Sequence, residues 1–383
     1  MATENVKAMW ALLLSVTVVT AIVPGAAAGQ FKKPVYYKLN GDPYQIIATD
    51  FTGDGNLDLA EAEFYPGVVG VLLGKGNGTF HAAHYFSAPG AIALAAGDFN
   101  GDGKLDLAVV EYGGTGHSQL GIFLGDGKGN FRNSATYTLG IKSQGIAVAD
   151  FDGDGHADVA VTNGQGYGKN GKTGSVSVFL SKGDGTFKAP VIYKLSGFPV
   201  GVAAGDFNGD HHPDLVVTQA SAFTVAILMN DGHGRFKHTE TYQAGGAPIA
   251  VAIADLDHNG AADLTVCEAA GVAVLLGNGD GTFGAATFYS TSGLGSGFPI
   301  ASASADFNRD GSLDIALAIS SGEGGIAMLY GNGNGTFQNP ISVVQPKGDP
   351  AGMATGDFNK DGAPDLAVSA AGYNNVVILI NAY

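Results

Sequence analysis

One eleven-residue phrase constrains this chain more than anything else in it: Asp98-Phe99-Asn100-Gly101-Asp102-Gly103-Lys104-Leu105-Asp106-Leu107-Ala108. Seven copies occur, the others opening at Asp50, Asp150, Asp206, Asp255, Asp306 and Asp357, spaced 48 to 56 residues apart. A fixed period of that size means one supersecondary unit repeated, each copy burying its apolar face against the next. Residues reading as strands flank the phrase, Ile92 to Gly97 before it and Leu105 to Val110 after it, so it is a loop inside a β-hairpin.

A second signature alternates with the first. It runs Leu72-Leu73-Gly74-Lys75-Gly76-Asn77-Gly78-Thr79-Phe80 and returns at 123–131, 179–187, 228–236, 275–283 and 329–337. Gly-rich turns between β-branched and aromatic runs are hairpin signals. One full unit then reads as an outer strand Phe187 to Lys194, an inner strand Val200 to Phe207, and strands Asp214 to Thr218 and Thr224 to Met229. Four short strands in some fifty residues, with small residues (Val202-Ala203-Ala204-Gly205) innermost, describe a propeller blade. No segment carries a helical period. The expected fold is all-β, a single seven-bladed β-propeller over residues 29–383.

The two ends complement each other. The last repeat stops at 376–383, where the others continue into the Gly-rich turn, while 30–39 (Gln-Phe-Lys-Lys-Pro-Val-Tyr-Tyr-Lys-Leu) aligns with the outer-strand segment 186–195. The first strand is therefore expected to pair with the C-terminal hairpin and close the ring, removing exposed sheet edges. Strand parity places the Asp loops and Gly-rich hairpins on one face. The varied connections lie opposite: Glu61 to Pro66, Glu111 to Gln119, Asn163 to Gly174, Gln219 to Phe223, Ser320 to Gly325 and Ala370 to Asn375.

The Asp loops carry the chemistry. Oxygen-bearing side chains fall at positions 1, 3, 5 and 9, with the carbonyl of position 7 as a fifth donor, an arrangement that wraps a hard cation. Loop one offers Asp50, Thr52, Asp54 and Asp58 with Asn56; loop two Asp98, Asn100, Asp102 and Asp106 with Lys104. Loop three offers Asp150, Asp152, Asp154 and Asp158 with His156; loop four Asp206, Asn208, Asp210 and Asp214 with His212. Loop five offers Asp255, Asp257, Asn259 and Asp263 with Ala261; loop six Asp306, Asn308, Asp310 and Asp314 with Ser312. Loop seven offers Asp357, Asn359, Asp361 and Asp365 with Ala363. Ca²⁺ tolerates this irregular geometry better than Mg²⁺, which demands an octahedron. An EF-hand is excluded, because no bidentate Glu stands at position 12 and strands flank the loop. Thr52 at position 3, His211 in place of the position-6 Gly, and Asn259 at position 5 single out loops one, four and five as the weakest sites. The competing reading is a set of Asx-turns that need no metal.

Charge agrees with a metal-binding role. The net charge is −16, and 22 of the 35 Asp and Glu lie in these loops. Seven divalent ions would leave about −2. An acidic chain of this kind excludes nucleic acid as a partner, which calls for basic patches. Residues 1–28 read as a secretion signal: Lys7, an apolar run from Ala8 to Val23, and Ala26-Ala27-Ala28 as the cleavage site. The run of 16 is short of the ~20 residues a membrane span needs, so no transmembrane segment is expected in the mature chain, and a secreted or periplasmic monomer is. The only cysteine, Cys267, sits in an apolar run and reads as a buried, inert thiol.

On these loops and turns the chain resembles the FG-GAP repeat family, which includes the propeller of integrin alpha subunits, and more closely the secreted VCBS and FG-GAP-like bacterial proteins. The resemblance spans residues 30–383 and implies a seven-bladed propeller holding Ca²⁺ at the loop positions above. Family activities range over adhesion, glycan binding and propeller domains within polysaccharide-degrading enzymes.

No Ser-His-Asp grouping, Cys nucleophile or zinc-spaced His cluster accompanies a motif. His156, His211, His212 and His258 fall in Asp loops and read as exposed filler. Acid catalysis by Glu61, Glu63, Glu111, Glu268 or Glu323 on the varied face stays open, as does an internal role, since Glu61, Glu111 and Glu268 lie at comparable blade positions. The favoured function is a non-catalytic binding or adhesion module with a glycan or extracellular protein ligand. Tyr65, Tyr112, Tyr167, Phe223 and Tyr373 are its candidate contacts, because aromatic rings stack on sugars or anchor interfaces. Tyr44, Phe198 and Phe298 share the varied face, the last two also suited to packing between blades. A polysaccharide-acting enzyme and a passive structural propeller are the alternatives.

Overall fold

The computed structural model describes residues 30–112, 116–165, 174–295, 297–320 and 325–383. The signal-like segment, Tyr167 and Glu323 lie outside them. Seven four-stranded antiparallel sheets make up the described chain, each ordered from an innermost strand outward. Blade four shows the plan: Pro199–Gly205 innermost, then Asp214–Gln219, Thr224–Asn230 and Phe236–Gln243. The innermost strands touch one another in sequence around the ring, and that of blade seven, Asp349–Gly356, touches that of blade one, Pro43–Thr49. Blade seven takes its outermost strand from Val35–Lys38, whose Val35 lies opposite Ile378 and Lys38 opposite Asn375.

The expected outer strand of the third blade starts later than the composition suggested. Its regular part is Val191–Leu195, while Phe187 pairs with Ser181 at a single point before the intervening Pro190 breaks the ladder. The second strand of each blade is buried on both faces, its polar residues included, for instance Asp263–Glu268. Cys267 lies there, fully buried, and burial pushes its thiol up to about 12.

Aromatic rings tie the blades together. The Phe of an Asp loop meets, mostly edge-on, the Phe that ends the Gly-rich turn of the next blade: Phe99 with Phe187 at 5.5 Å, Phe151 with Phe236 at 5.3 Å, Phe207 with Phe283 at 5.4 Å. A Tyr on the outermost strand completes five of the groups, its hydroxyl accepting the amide of that second Phe. Tyr37 accepts from Phe80 at 2.8 Å, Tyr137 from Phe187 at 2.7 Å and Tyr289 from Phe337 at 2.9 Å. The backbone joins at the same place, as Gly185 N donates to Phe99 O at 2.9 Å and Gly78 N to Phe358 O at 2.8 Å. These contacts hold the Asp loops and Gly-rich hairpins on one face.

Candidate functional site

Two places carry candidate chemistry, the Asp loops on the repeated face and the aromatic connections on the varied face. In the loops, one hydrogen-bond plan serves all seven copies. The position-1 carboxylate accepts the amide of position 6, from Gly55 to Asp50 at 2.7 Å through Gly362 to Asp357 at 2.8 Å. The position-5 side chain accepts the amide of position 7, as with Lys104 to Asp102 at 3.0 Å. Position 9 is buried and spans two segments: Asp158 accepts Phe151 N at 2.9 Å and Ser181 N at 2.6 Å, bracing the loop to the Gly-rich hairpin. Burial pushes Asp58, Asp106, Asp158, Asp214, Asp314 and Asp365 up to about 6, against the pull of those same amides.

The departures expected to weaken loops one, four and five leave this plan intact. His211 takes the left-handed conformation of the Gly it replaces (φ 66°) and donates to Asp206 at 2.8 Å. In loop five, Asn259 accepts Ala261 N at 2.6 Å in the manner of an aspartate. The position-7 side chain has an unforeseen task. His156 and His212, read as exposed filler, are half-buried and lie over Gly183 and Gly232 of their hairpins, where a Cβ would strike the imidazole.

The loops differ in how well they fit a cation. In loops four, six and seven the position-3 Asn donates to the position-5 Asp at 2.8 Å, so the loop satisfies itself. Loops three and five carry Asp at position 3 instead, and each gathers three carboxylates with oxygens within 4.8 Å: Asp150, Asp152, Asp158 and Asp255, Asp257, Asp263. Asp152 Oδ1 is buried and has no hydrogen-bond partner. Loop three thus fits a hard divalent ion best, and loop five, expected among the weakest, has the other convergent set.

On the varied face, Tyr65, Phe223 and Tyr373 stand in tight connections and are 52%, 51% and 59% exposed. Tyr65 sits edge-on against Phe64 at 4.9 Å, and Phe64 tilts against Tyr44 at 5.9 Å and Tyr112 at 6.0 Å. Phe64, not among the sequence candidates, thereby assembles Tyr65 and Tyr112 into one patch at blades one and two. Its place inside the varied connection after Glu63 was the available signal. Tyr373 belongs to blade seven, its carbonyl held by Lys38 Nζ at 2.8 Å, and Phe223 stands alone in blade four. Phe198 turns inward against Gly164 of blade three, with Lys142 Nζ 5.7 Å from its ring centre.

The glutamates proposed for the varied face lie elsewhere. Glu61, Glu63, Glu111 and Glu268 are buried within second strands. Glu63, rather than Glu61, matches Glu111 and Glu268, each five residues after the brace aspartate. Asn163 and Gln219 occupy that position in blades three and four, and the shared task is to receive the chain arriving from the preceding blade. Asn163 accepts Gly140 N at 3.0 Å and Glu268 accepts Gly246 N at 2.9 Å.

Among known proteins, an FG-GAP-like repeat model matches residues 50–109, 98–161, 168–217, 212–266, 259–317 and 306–368, and an FG-GAP repeat model matches 144–179. No curated protein sequence matches the chain. Among solved structures, the chain resembles an Agrocybe aegerita lectin described in specific recognition of non-reducing terminal N-acetylglucosamine. That match has 21% identity and a TM-score of 0.54, covering 93% of this chain and 96% of the other. It also resembles a chain from the crystal structure of BBS1N in complex with ARL6DN, at 12% identity and TM-score 0.60, covering 93% and 98%. Likeness at these identities shows fold alone. With repeat matches running from residue 50 to 368 over seven blades built on one loop, the chain belongs to the FG-GAP repeat family.

Proposed function

We propose that this protein is a secreted, Ca²⁺-loaded, non-catalytic propeller that binds a glycan through the aromatic patch of blades one and two. The observation that carries the reading is Tyr65, more than half exposed yet fixed edge-on by Phe64, with Tyr44 and Tyr112 behind it. A rigid exposed ring loses little entropy on stacking against a sugar face. The lectin likeness supports a binding role for such a scaffold. The signal-like segment 1–28 supports export, where millimolar Ca²⁺ suits loops of moderate affinity. Bound Ca²⁺ neutralises the converging carboxylates of loop three and contributes its binding energy to folding; Asp150, Asp152 and Asp158 would hold it.

A glycan-array screen of the chain from residue 30, with Ca²⁺ and after chelation, tests the reading. A discrete sugar hit is expected, and Tyr65→Ala should weaken it by about thirtyfold, some 2 kcal/mol. Absence of any hit in both conditions would overturn the glycan reading and leave a protein ligand for the patch.

A further inference from the structure

The second strand of blade one, Asp58–Glu63, turns Leu59, Glu61 and Glu63 toward blade seven, where Leu59 packs among Leu39, Ile46, Phe358 and Ile378. Three residues after the brace aspartate, the other six blades carry Val109, Val161, Val217, Val266, Leu317 and Val368. Blade one carries Glu61. Its carboxylate is fully buried, and neither oxygen has a hydrogen-bond partner. Glu63 beside it is equally buried, accepting only Asn40 N at 3.4 Å through Oε1, with Oε2 unpartnered. Gly70, directly across the ladder, makes the room, since a Cβ there would collide with Glu61 Oε1.

Among the described residues, no cation answers these charges. The outermost strand of blade one presents Tyr85, whose hydroxyl is pushed up to about 12 by burial and by the two carboxylates, and so stays neutral. The approach to the innermost strand adds Asp42 and then Tyr44. Blade seven contributes Asp349 and Asp365, each opening its strand, with Tyr36, Tyr37 and Lys38 on its outermost strand. Tyr36 and Tyr37 accept the amides of Lys347 and Phe80, and the Lys38 ammonium donates to Tyr373 O. On the opposite face, the innermost strand of blade two, Ala91–Gly97, has no ionisable side chain.

We propose that Glu61 and Glu63 hold one proton between them at neutral pH, and that this proton keeps the seam between blades one and seven closed. Two bare carboxylates with no donor are the costliest state of such a pair; one proton supplies the missing donor and leaves a single charge for the Asn40 amide. A metal ion is the poorer occupant, for it wants six or more oxygens and would face a tyrosine edge and the Gly70 backbone here. Burial raises both groups, helped by the charge of Glu63 at Glu61 and of Asp42 at Glu63, so the folded chain keeps a proton that the unfolded chain releases near pH 4.3. Stability from this pair is therefore complete below that pH. It declines as pH rises, by up to tenfold in the folding constant per unit.

Denaturant unfolding from pH 5 to 8 in saturating Ca²⁺ tests this on wild type, Glu61→Gln and Glu61→Val. Loop protonation is common to all three and cancels in the comparison. Each variant should gain on the wild type by up to about tenfold per pH unit. Curves that run parallel would overturn the proposal. Glu111, also raised by burial to about 7, is removed first by Glu111→Gln; in that background an infrared band from a protonated carboxyl at pH 7.5 is expected, and it is lost on adding Glu61→Gln. Absence of that band in Glu111→Gln alone would overturn the proposal even if neither Glu61 variant folded.

Discussion

Within one Asp loop, identical residues do different work. Position 9 is a brace: Asp158→Ala would strand the buried amides of Phe151 and Ser181, costing about 3 kcal/mol even without Ca²⁺. Asp152 makes no such backbone contact: Lys188 Nζ donates to its Oδ2 at 3.2 Å, an exposed pair worth under about 1 kcal/mol, and the buried Oδ1 is free. Asp152→Ala should therefore matter mainly when Ca²⁺ is present, which unfolding with and without chelator will separate. His211→Gly offers the converse test. Relief of the left-handed strain (φ 66°), worth about 1–2 kcal/mol, is partly offset by the freer unfolded chain, so a net gain near 0.5–1 kcal/mol is expected from the denaturation midpoint. Glu111, with no carboxylate beside it, is pushed up to about 7 by burial alone. It favours the folded state fully only below about pH 4.3, and that contribution fades as pH rises to 7. Glu111→Gln should flatten that window by about 2 kcal/mol, read from stability at pH 5 and pH 7.5.

At the scale of elements, the seam between blades is a Phe–Tyr–Phe group, and it is not uniform. Phe86 and Val343 stand where the five other outermost strands carry the latch Tyr, and Phe86 meets Phe131 at an interplanar angle of 39° instead of the 89° between Tyr137 and Phe187. Lacking a hydroxyl, it cannot accept the Phe131 amide. Tyr137→Phe should cost about 1 kcal/mol and speed hydrogen exchange at Phe187, toward the faster rate expected at Phe131 in the wild type. Phe86→Tyr should slow exchange at Phe131. These seams also explain what could be read from sequence. The loop phrase and the Gly-rich turn repeat because each unit meets its neighbour identically, so period, blade number and strand order were legible. The patch was not, because Phe64 gathers Tyr44 and Tyr112 from segments 20 and 48 residues away. Nor could a linear reading tell that Glu61 is buried and unpartnered on the strand face where Leu59 packs against blade seven.

For the whole molecule, acidity and closure are linked. With 22 of 35 acids on one face, removal of bound cations leaves that face strongly charged. Under the proposed Ca²⁺ loading, chelation should lower unfolding free energy by about 2.7 kcal/mol per site held at a hundredfold excess over its dissociation constant, read as a lower melting temperature. Salt should restore part of the loss. Removing residues 30–39 would withdraw the strand opposite Asn375–Leu379 and bare an edge; broadened unfolding and concentration-dependent association are expected by calorimetry and light scattering.

The joint in blade seven also sets an orientation. Gln30 O accepts Ala382 N at 2.8 Å, and Asn381 reaches Phe307 O of the neighbouring Asp loop, so residues 30 and 383 both emerge beside the acidic loops. Whatever is joined to either residue hangs from that side. The Tyr65 patch lies on the other side, so a stalk joined at either residue would leave it open to the ligand proposed above.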